Sequence, residues 1–395
     1  MKHRQSNPGS SPLKFPYTKR HPKRALAALS LAAAVTYAHA QTLQVIPPFP
    51  GGFYSHLTGI SADGSVVAAG NVLPSGEIDR GFTWTSASGA QDIGFLPGFT
   101  LATIPTGLSG NGSTVVGIAF DPNYNLASFR YQNGVMEDLG SLGGTNPVTL
   151  STGVSYDGSV VTGYSSSDGI DSHAFRWTQA GMQDLGVLPG GSYSLGLAIS
   201  GDGEVIVGNG NVGSDGRIFR WTQADGMKPL GFLPGSTFDG AYALSADGTA
   251  IAGVSDAQAV RWLGDVPQAL GSLPGTLFSS ANAVSGDGQI IGGTTFDSSF
   301  SPTAFIWSQA TGMLDIEELL ASRGVDMAGW NFESINGISA DGSALIAFGS
   351  RNGEPVGILV TDFAVPEASP LSATASLLAF GVASSWLRIR RQRQA

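Results

Sequence analysis

The 395-residue sequence predicts an all-β fold, a seven-bladed β-propeller, with an export signal before it and a membrane-spanning helix after it. Three observations lead there. The chain is turn-rich and charge-poor, with 56 Gly, 21 Pro and 13% charged residues beside 42% hydrophobic ones, a balance that suits short strands joined by turns rather than disorder. A Ser-x-Asp/Asn-Gly turn recurs at Asp63, Asn111, Asp157, Asp202, Asp247, Asp287 and Asp341, at intervals of 48, 46, 45, 45, 40 and 54 residues. Each unit reads as four short strands, and four strands in roughly 45 residues is the repeat of a propeller blade.

In chain order, residues 1–40 come first, with seven Lys/Arg and no acid, running from "KRHPKR" through the apolar "ALAALSLAAAVTY" to "AHAQ". That order predicts a secretory signal peptide, with the small Ala38 and Ala40 placed for cleavage before Gln41, and hence export through the general secretory route.

Residues 41–363 form the repeat domain. Within a unit, a strand of small residues ("LTGIS", "STGVS", "YALS") enters the Asp-Gly turn, and a second strand ("SVVAAG", "EVIVGN") leaves it. After a loop of variable length comes a third strand ("GFTWT", "AFRWT", "IFRWT"), then a fourth ("QDIGFL", "QDLGVL") that ends in Pro-Gly or Gly-Gly. Phe175 and Trp177 are two apart, so they share one face of their strand and Arg176 takes the other; the aromatics are expected to pack between neighbouring blades. The last unit stops after "PVGILVT" without a fourth strand, while "TLQVIPPFPGG" at the start of the domain resembles a fourth strand with no first three. Pairing residues 43–46 with 355–361 closes the ring and removes both free edges, which the rival architecture, an open β-solenoid, leaves exposed. The count is seven blades, with six or eight left open by the one long interval. There, "GMLDIEELLASRG" puts Leu314, Ile316, Leu319 and Leu320 at helical spacing, predicting a short helix over 317–322 in place of the usual fourth strand.

Residues 364–395 read "AVPEASPLSATASLLAFGVASSWLRIRRQRQA". Positions 371–387 are just long enough to span a bilayer as a helix, and Arg388, Arg390, Arg391 and Arg393 keep the far end cytoplasmic, leaving the body outside. Five Ser/Thr in the span suit a temporary stop, with an ordinary membrane anchor as the alternative. Val365, Pro366 and Glu367, the span and the arginines together resemble the PEP-CTERM sorting signal of exopolysaccharide-producing Gram-negative bacteria, although Ala368 stands where that motif has proline. The resemblance implies processing by an exosortase-type enzyme, with transient anchoring in the inner membrane before the protein reaches the cell surface or the medium. The repeats, on "ISADG", "HAFRWT" and "DLGVLPGG" in recurring order, resemble the HAF repeat family of extracellular bacterial proteins over nearly all of 41–363. That implies an exported propeller with no established reaction.

The chemistry the sequence offers is sparse. With no cysteine, disulfides and thiolate metal sites are excluded. Residues 41–366 hold nine Lys/Arg against 29 Asp/Glu, a balance that repels nucleic-acid phosphates. Of five histidines, His3, His21 and His39 fall in the signal segment. His56 and His173 are too few for a three-histidine metal site, and His173 is expected to be a solvent-facing strand residue. Six Asp residues (Asp63, Asp157, Asp202, Asp247, Asp287 and Asp341) occupy repeated turns where they cap the backbone, without the clustered oxygens a calcium loop needs; "DPNYN" at Asp121 and "SSSDGIDS" around Asp168 are looser oxygen-rich loops that could hold a cation. Arg130, Arg176, Arg220 and Arg261 recur on the third strand, with Asp138 or Asp184 expected across the next hairpin. Repetition spreads these arginines around the ring instead of converging them. No catalytic residue, metal site or cofactor is assigned.

Two function classes remain. One is a non-catalytic protein of the envelope or extracellular matrix whose loops bind a glycan, such as an extracellular polysaccharide, or an envelope protein. The other is a propeller hydrolase or lyase acting on polysaccharide. In an up-and-down blade the Asp-Gly turns and third-to-fourth turns share one face, and the variable second-to-third loops share the other with the Pro-Gly connections. Binding residues tend to sit on loops held by a rigid frame, so the variable face is the expected site, with Tyr124, Asn125, Asp168, Asp171 and Phe300 as contacts.

Overall fold

The computed structural model describes residues 41–365, apart from 145–146 and 168–170. The described residues form seven four-stranded antiparallel sheets, each a blade. The first blade comprises Tyr54–Ile60, Val67–Val72, Ile78–Thr85 and Gly89–Asp92, and the next six begin at Ala102, Val148, Ser194, Asp239, Thr276 and Trp330. The seventh runs through Trp330–Ile338, Leu345–Arg351 and Glu354–Thr361, and takes its fourth strand, Thr42–Ile46, from the start of the domain. Thr42 lies opposite Thr361 and Ile46 opposite Gly357, so the expected strand exchange closes the ring and leaves neither end with an open edge.

Alternation along the third strand explains the packing. Phe175 and Trp177 face the preceding blade, where they meet Val116 and Leu139. Ala174, pointing the other way, joins Ile206 and Phe219 of the following blade. A blade thus presents apolar residues to both of its neighbours, and buried hydroxyls add bonds across the walls, as Ser151 does to the Gly117 carbonyl at 2.8 Å. Second strands are accordingly buried on both faces, as Val67–Val72 is along its whole length. Where Phe219 crosses the second strand of its blade the space is that of a glycine: a Cβ on Gly208 would lie 2.9 Å from the Phe219 ring and collide with the Leu195 carbonyl.

The Asp-Gly turns are one device used seven times. The Ser155 hydroxyl donates to Asp157 Oδ1 (2.8 Å) and accepts the Val160 N–H (3.0 Å), while the Ser159 N–H donates to the same carboxylate oxygen (2.9 Å). A second layer of bonds joins the turns to one another. Ala62 N–H donates to Gly110, Asn111 to Tyr156, Tyr156 to Gly201, Gly201 to Ala246, Asp247 to Gly286, Gly286 to Ala340 and Ala340 back to Ala62, at 2.8–3.2 Å. This circle of backbone hydrogen bonds locks the turn face.

The turn chemistry carries a pH signature. Hydrogen bonds from the Ser159 backbone and hydroxyl, then from Ser155, hold the Asp157 carboxyl below its ordinary value; Asp63, led by the Ser61 hydroxyl, and Asp202, led by the Ser200 hydroxyl, are lowered in the same way. A depressed carboxyl contributes stability that is fully present above the unfolded value near 4 and lost as pH falls through the folded one. Thermal stability is therefore expected to drop below about pH 4. Asn111 makes the same bonds with an uncharged side chain, its Oδ1 accepting from the Ser109 hydroxyl at 2.7 Å and the Ser113 N–H at 3.0 Å. Asp157→Asn should then cost under about 1 kcal/mol at neutral pH and flatten part of the acid limb, measured by thermal melts from pH 3 to 7. An unchanged acid limb in a variant with several such replacements would refute this account.

The helix is observed at Ile316–Ser322, close to the expected 317–322. It does not replace the fourth strand of the sixth blade, as expected, but follows it, since Gly312–Asp315 pairs with the third strand and includes Leu314. Asp315 caps the helix through the Glu317 N–H (2.7 Å). Glu317 in turn accepts the Phe332 N–H at 2.6 Å, tying the helix to the seventh blade.

The expected signal segment with Ala38 and Ala40 lies outside the described residues, as do Pro366, Glu367, the 371–387 span and Arg388, Arg390, Arg391 and Arg393. Among the described residues no helix is long and apolar enough to cross a membrane.

Candidate binding face

The two faces of the ring differ in construction. On the turn face, third-strand arginines reach across to the neighbouring blade. Arg130 Nε donates to Gly158 O (2.8 Å), Arg176 Nε to Gly203 O (3.2 Å), Arg220 Nη1 to Gly248 O (2.6 Å) and Arg261 Nη1 to Gly288 O (3.3 Å). Each acceptor is the glycine of the next Asp-Gly turn, so these arginines are blade-to-blade staples.

Their expected partners Asp138 and Asp184 do not pair with them. Arg130 stands opposite Glu137 in the register, and Asp138 opposite Phe129; Arg130 accordingly pairs with Glu137 at 2.7 Å. The sequence pairing was one residue out of step, and one step along a strand reverses the face. Asp138 and Asp184 instead accept the N–H of Gly140 (2.9 Å) and Gly186 (2.7 Å), each two residues on. Gly186 has φ 72°, a conformation that glycine adopts freely, and this accounts for the Asp-Leu-Gly of the repeat.

His173 is not simply solvent-facing. Its Nδ1 donates to the Asp184 carboxylate at 2.9 Å, as Arg80 Nη1 donates to Asp92 in the first blade at 2.7 Å. The histidine of the repeated phrase stands where the first blade has an arginine.

The opposite face gathers the second-to-third loops and the connections between blades, with exposed aromatics Phe53, Tyr124, Phe232, Phe238, Phe278 and Phe300. Two of its loops have one construction. Asp121 accepts the N–H groups of Asn123 (2.8 Å) and Asn125 (2.9 Å) on Oδ1, and Asp297 accepts those of Ser299 (2.7 Å) and Ser301 (3.0 Å). The fourth residue of each turn is an aromatic at positive φ, Tyr124 at 63° and Phe300 at 59°. Such a backbone costs a non-glycine residue roughly 1 kcal/mol or more. Yet both side chains are 72–73% exposed, so their burial does not offset that cost. Phe300 stacks on Phe278, with ring centroids 5.9 Å apart and planes 13° from parallel, making a wider platform.

Of the other expected contacts, Asn125 is part of the turn itself, since its side-chain amide donates to Asp121 Oδ2 at 2.8 Å. The same bonds occupy the Asp121 carboxylate, so this loop holds its oxygens inward. Asp168 lies outside the described residues; Asp171 begins the strand Asp171–Thr178, with its side chain outside them.

Sequence reasoning missed a cleft of about 360 Å³ between the first two blades, beside Tyr124, walled by Leu73, Ile78, Leu101, Ile104 and Phe120. Glu77 and Asp79 border it. Ile78 and Ile104 also line a second cavity of about 480 Å³ at the mouth of the central channel, with His56, Thr106, Asn282 and Asn336. Burial lowers the His56 pKa, which keeps its imidazole neutral at pH 7. Deeper in, the channel is ringed by the first strands, whose Gly59, Gly107, Gly153 and Gly337 let the blades approach the axis.

No protein-family model matches the chain, and no curated protein matches it. Solved structures do. An oligogalacturonate lyase from Vibrio parahaemolyticus is 8% identical with a TM-score of 0.52, the match covering 82% of this chain and 97% of that one. A virginiamycin B lyase from Staphylococcus aureus is 14% identical with a TM-score of 0.50, covering 81% and 99%. TolB from Acinetobacter baumannii is 16% identical with a TM-score of 0.40; the match covers 66% of this chain and 62% of that one, so the chain spans about three fifths of that TolB. For the two lyases, likeness at such identities establishes the fold alone.

Proposed function

We propose that the protein is an exported, non-catalytic scaffold of the cell envelope or extracellular matrix, which binds a glycan or protein through its variable-loop face. The observation that carries this is the asymmetry of the disk. One face is stitched into a circle of repeated turns, whereas the other carries two aromatics held outward on unfavourable backbone. Strain kept without a packing return is a mark of function.

The flanking signals support export: the order of the N-terminal 40 residues, and the PEP-CTERM-like end with its arginine cluster. Exosortase-type processing, with the 371–387 span as a transient anchor, completes the proposal. Peptide mass mapping of envelope and secreted fractions tests it, and finding only the unprocessed chain in the cytoplasm refutes it.

The alternative of a polysaccharide lyase or hydrolase draws on the name of one similar fold, which at that identity carries no activity. An enzyme needs ionisable groups that break the repeat and converge. Here the pairs Arg80–Asp92 and His173–Asp184 sit at equivalent positions of separate blades. Arg217, at 11% exposure, is taken up by Asp215 at 2.9 Å and by the Phe232 ring at 4.3 Å.

Parallel glycan and peptide arrays with the purified protein test the binding face. Tyr124→Ala and Phe300→Ala are each expected to weaken captured ligand by about three- to tenfold, the loss of one aromatic contact, without lowering the melting temperature. If Tyr156→Ala on the turn face weakens binding instead, the assignment of the face is wrong.

A further inference from the structure

The geometry points to the cleft between the first two blades as a site for an extended peptide, one that sets an apolar side chain against Ile78, Leu101 and Phe120 and a lysine or arginine against Glu77 and Asp79. The inference rests on the variable face being the binding face, and narrows the ligand to one class.

Size comes first. The cleft measures about 360 Å³, within the range of roughly 300–1,000 Å³ typical of ligand pockets. Its inner walls are apolar, the aliphatic side chains being joined by Phe120 and Tyr124, so a sugar ring set deep between them would bury hydroxyl groups away from the two rim acids, which is unfavourable. An aliphatic side chain gains from the same burial.

Charge comes next. Both acids border the cleft and no lysine or arginine lines it. Among the described residues neither Glu77 nor Asp79 has an ion-pair partner, although Asp79 accepts the Asn71 side-chain amide at 2.9 Å. The nearest cation in sequence, Arg80, is taken by Asp92. A cationic group on the ligand therefore meets an uncompensated field, reinforced by the acidity of the whole domain.

Continuity with the channel mouth supplies the rest. Ile78 and Ile104 belong to both cavities, so a chain lying in the cleft continues toward Thr106, Asn282 and Asn336. The Ser334 hydroxyl donates to Asn336 Oδ1 at 2.8 Å, which leaves the Asn336 amide hydrogens for an incoming carbonyl. Neutral His56 adds another uncharged polar group there. Neutral donors and acceptors in a row suit a peptide backbone.

The probes are fluorescent pentapeptides with Leu-Lys-Leu, Leu-Glu-Leu or Ser-Lys-Ser at their centre, titrated into the full-length protein at low and high salt. Leu-Lys-Leu is expected to bind at least tenfold more tightly than either of the others, and to weaken as salt rises. Glu77→Lys, an exposed substitution that leaves the fold intact, should weaken it at least tenfold, while Val266→Ser on the turn face should leave it unchanged. Equal binding of Leu-Glu-Leu, no binding of any peptide, or preference for a chitosan oligomer over Leu-Lys-Leu overturns the proposal. If Glu77→Lys has no effect but Phe300→Ala weakens the peptide, the cleft is wrong and the binding face stands. If only Val266→Ser weakens it, both fall.

Discussion

Ile46→Asp is expected to open the ring. Ile46 is fully buried among Leu57, Phe82, Trp84 and Leu359, at the point where the borrowed strand meets the first blade. A carboxylate there has no cation to pair with and must be protonated or drag the strand out, a loss of at least about 4 kcal/mol. A fall in melting temperature of at least about 6 °C follows for a domain of this size. Detachment of Thr42–Ile46 also bares the edge of Glu354–Thr361, so size-exclusion profiles should show self-association through that edge. Thr42→Asp on the same strand makes the internal control: Thr42 is exposed, and the change should stay within about 0.5 kcal/mol. Equal melting temperatures for wild type and Ile46→Asp would show that the seam contributes nothing to closure.

Gly208→Val should be nearly as damaging, for a steric reason. A side chain at this position of the second strand collides with the Leu195 carbonyl on one side and the Phe219 ring on the other. Neither can move freely, because Leu195 belongs to the strand that lines the axis and Phe219 is fully buried. Overpacking of this kind costs about 3 kcal/mol or more. Ala69 and Ala347 occupy the corresponding place in the first and seventh blades, so Gly208→Ala should cost less, about 1–2 kcal/mol. Denaturant melts that place valine level with alanine would mean that the close approach does not set the spacing between strands.

The ring was legible in the sequence because the Ser-x-Asp-Gly turn marks every blade at one place, and because "TLQVI" lacks the three strands that should precede it. Alternation around Phe175 and Trp177 was legible for the same reason, since a period of two needs only one strand. Relations between strands were harder. Whether Arg130 faces Glu137 or Asp138 depends on a register set by the hairpin, and the sequence does not print it. The display of Tyr124 could be seen in "DPNYN", but the cleft beside it could not. Ile78 and Ile104 come from different blades and read as ordinary strand residues until the blades are set side by side.

The seam also fixes an orientation. Thr42 enters the seventh blade where Thr361 leaves it, and Phe363, just beyond, donates its N–H to Ser343 in the Asp-Gly turn at 2.7 Å. The two ends of the described chain therefore lie together on the stitched side of the disk. Tyr124, Phe300 and the cleft lie on the opposite side, so a ligand that docks there meets neither end of the ring's chain.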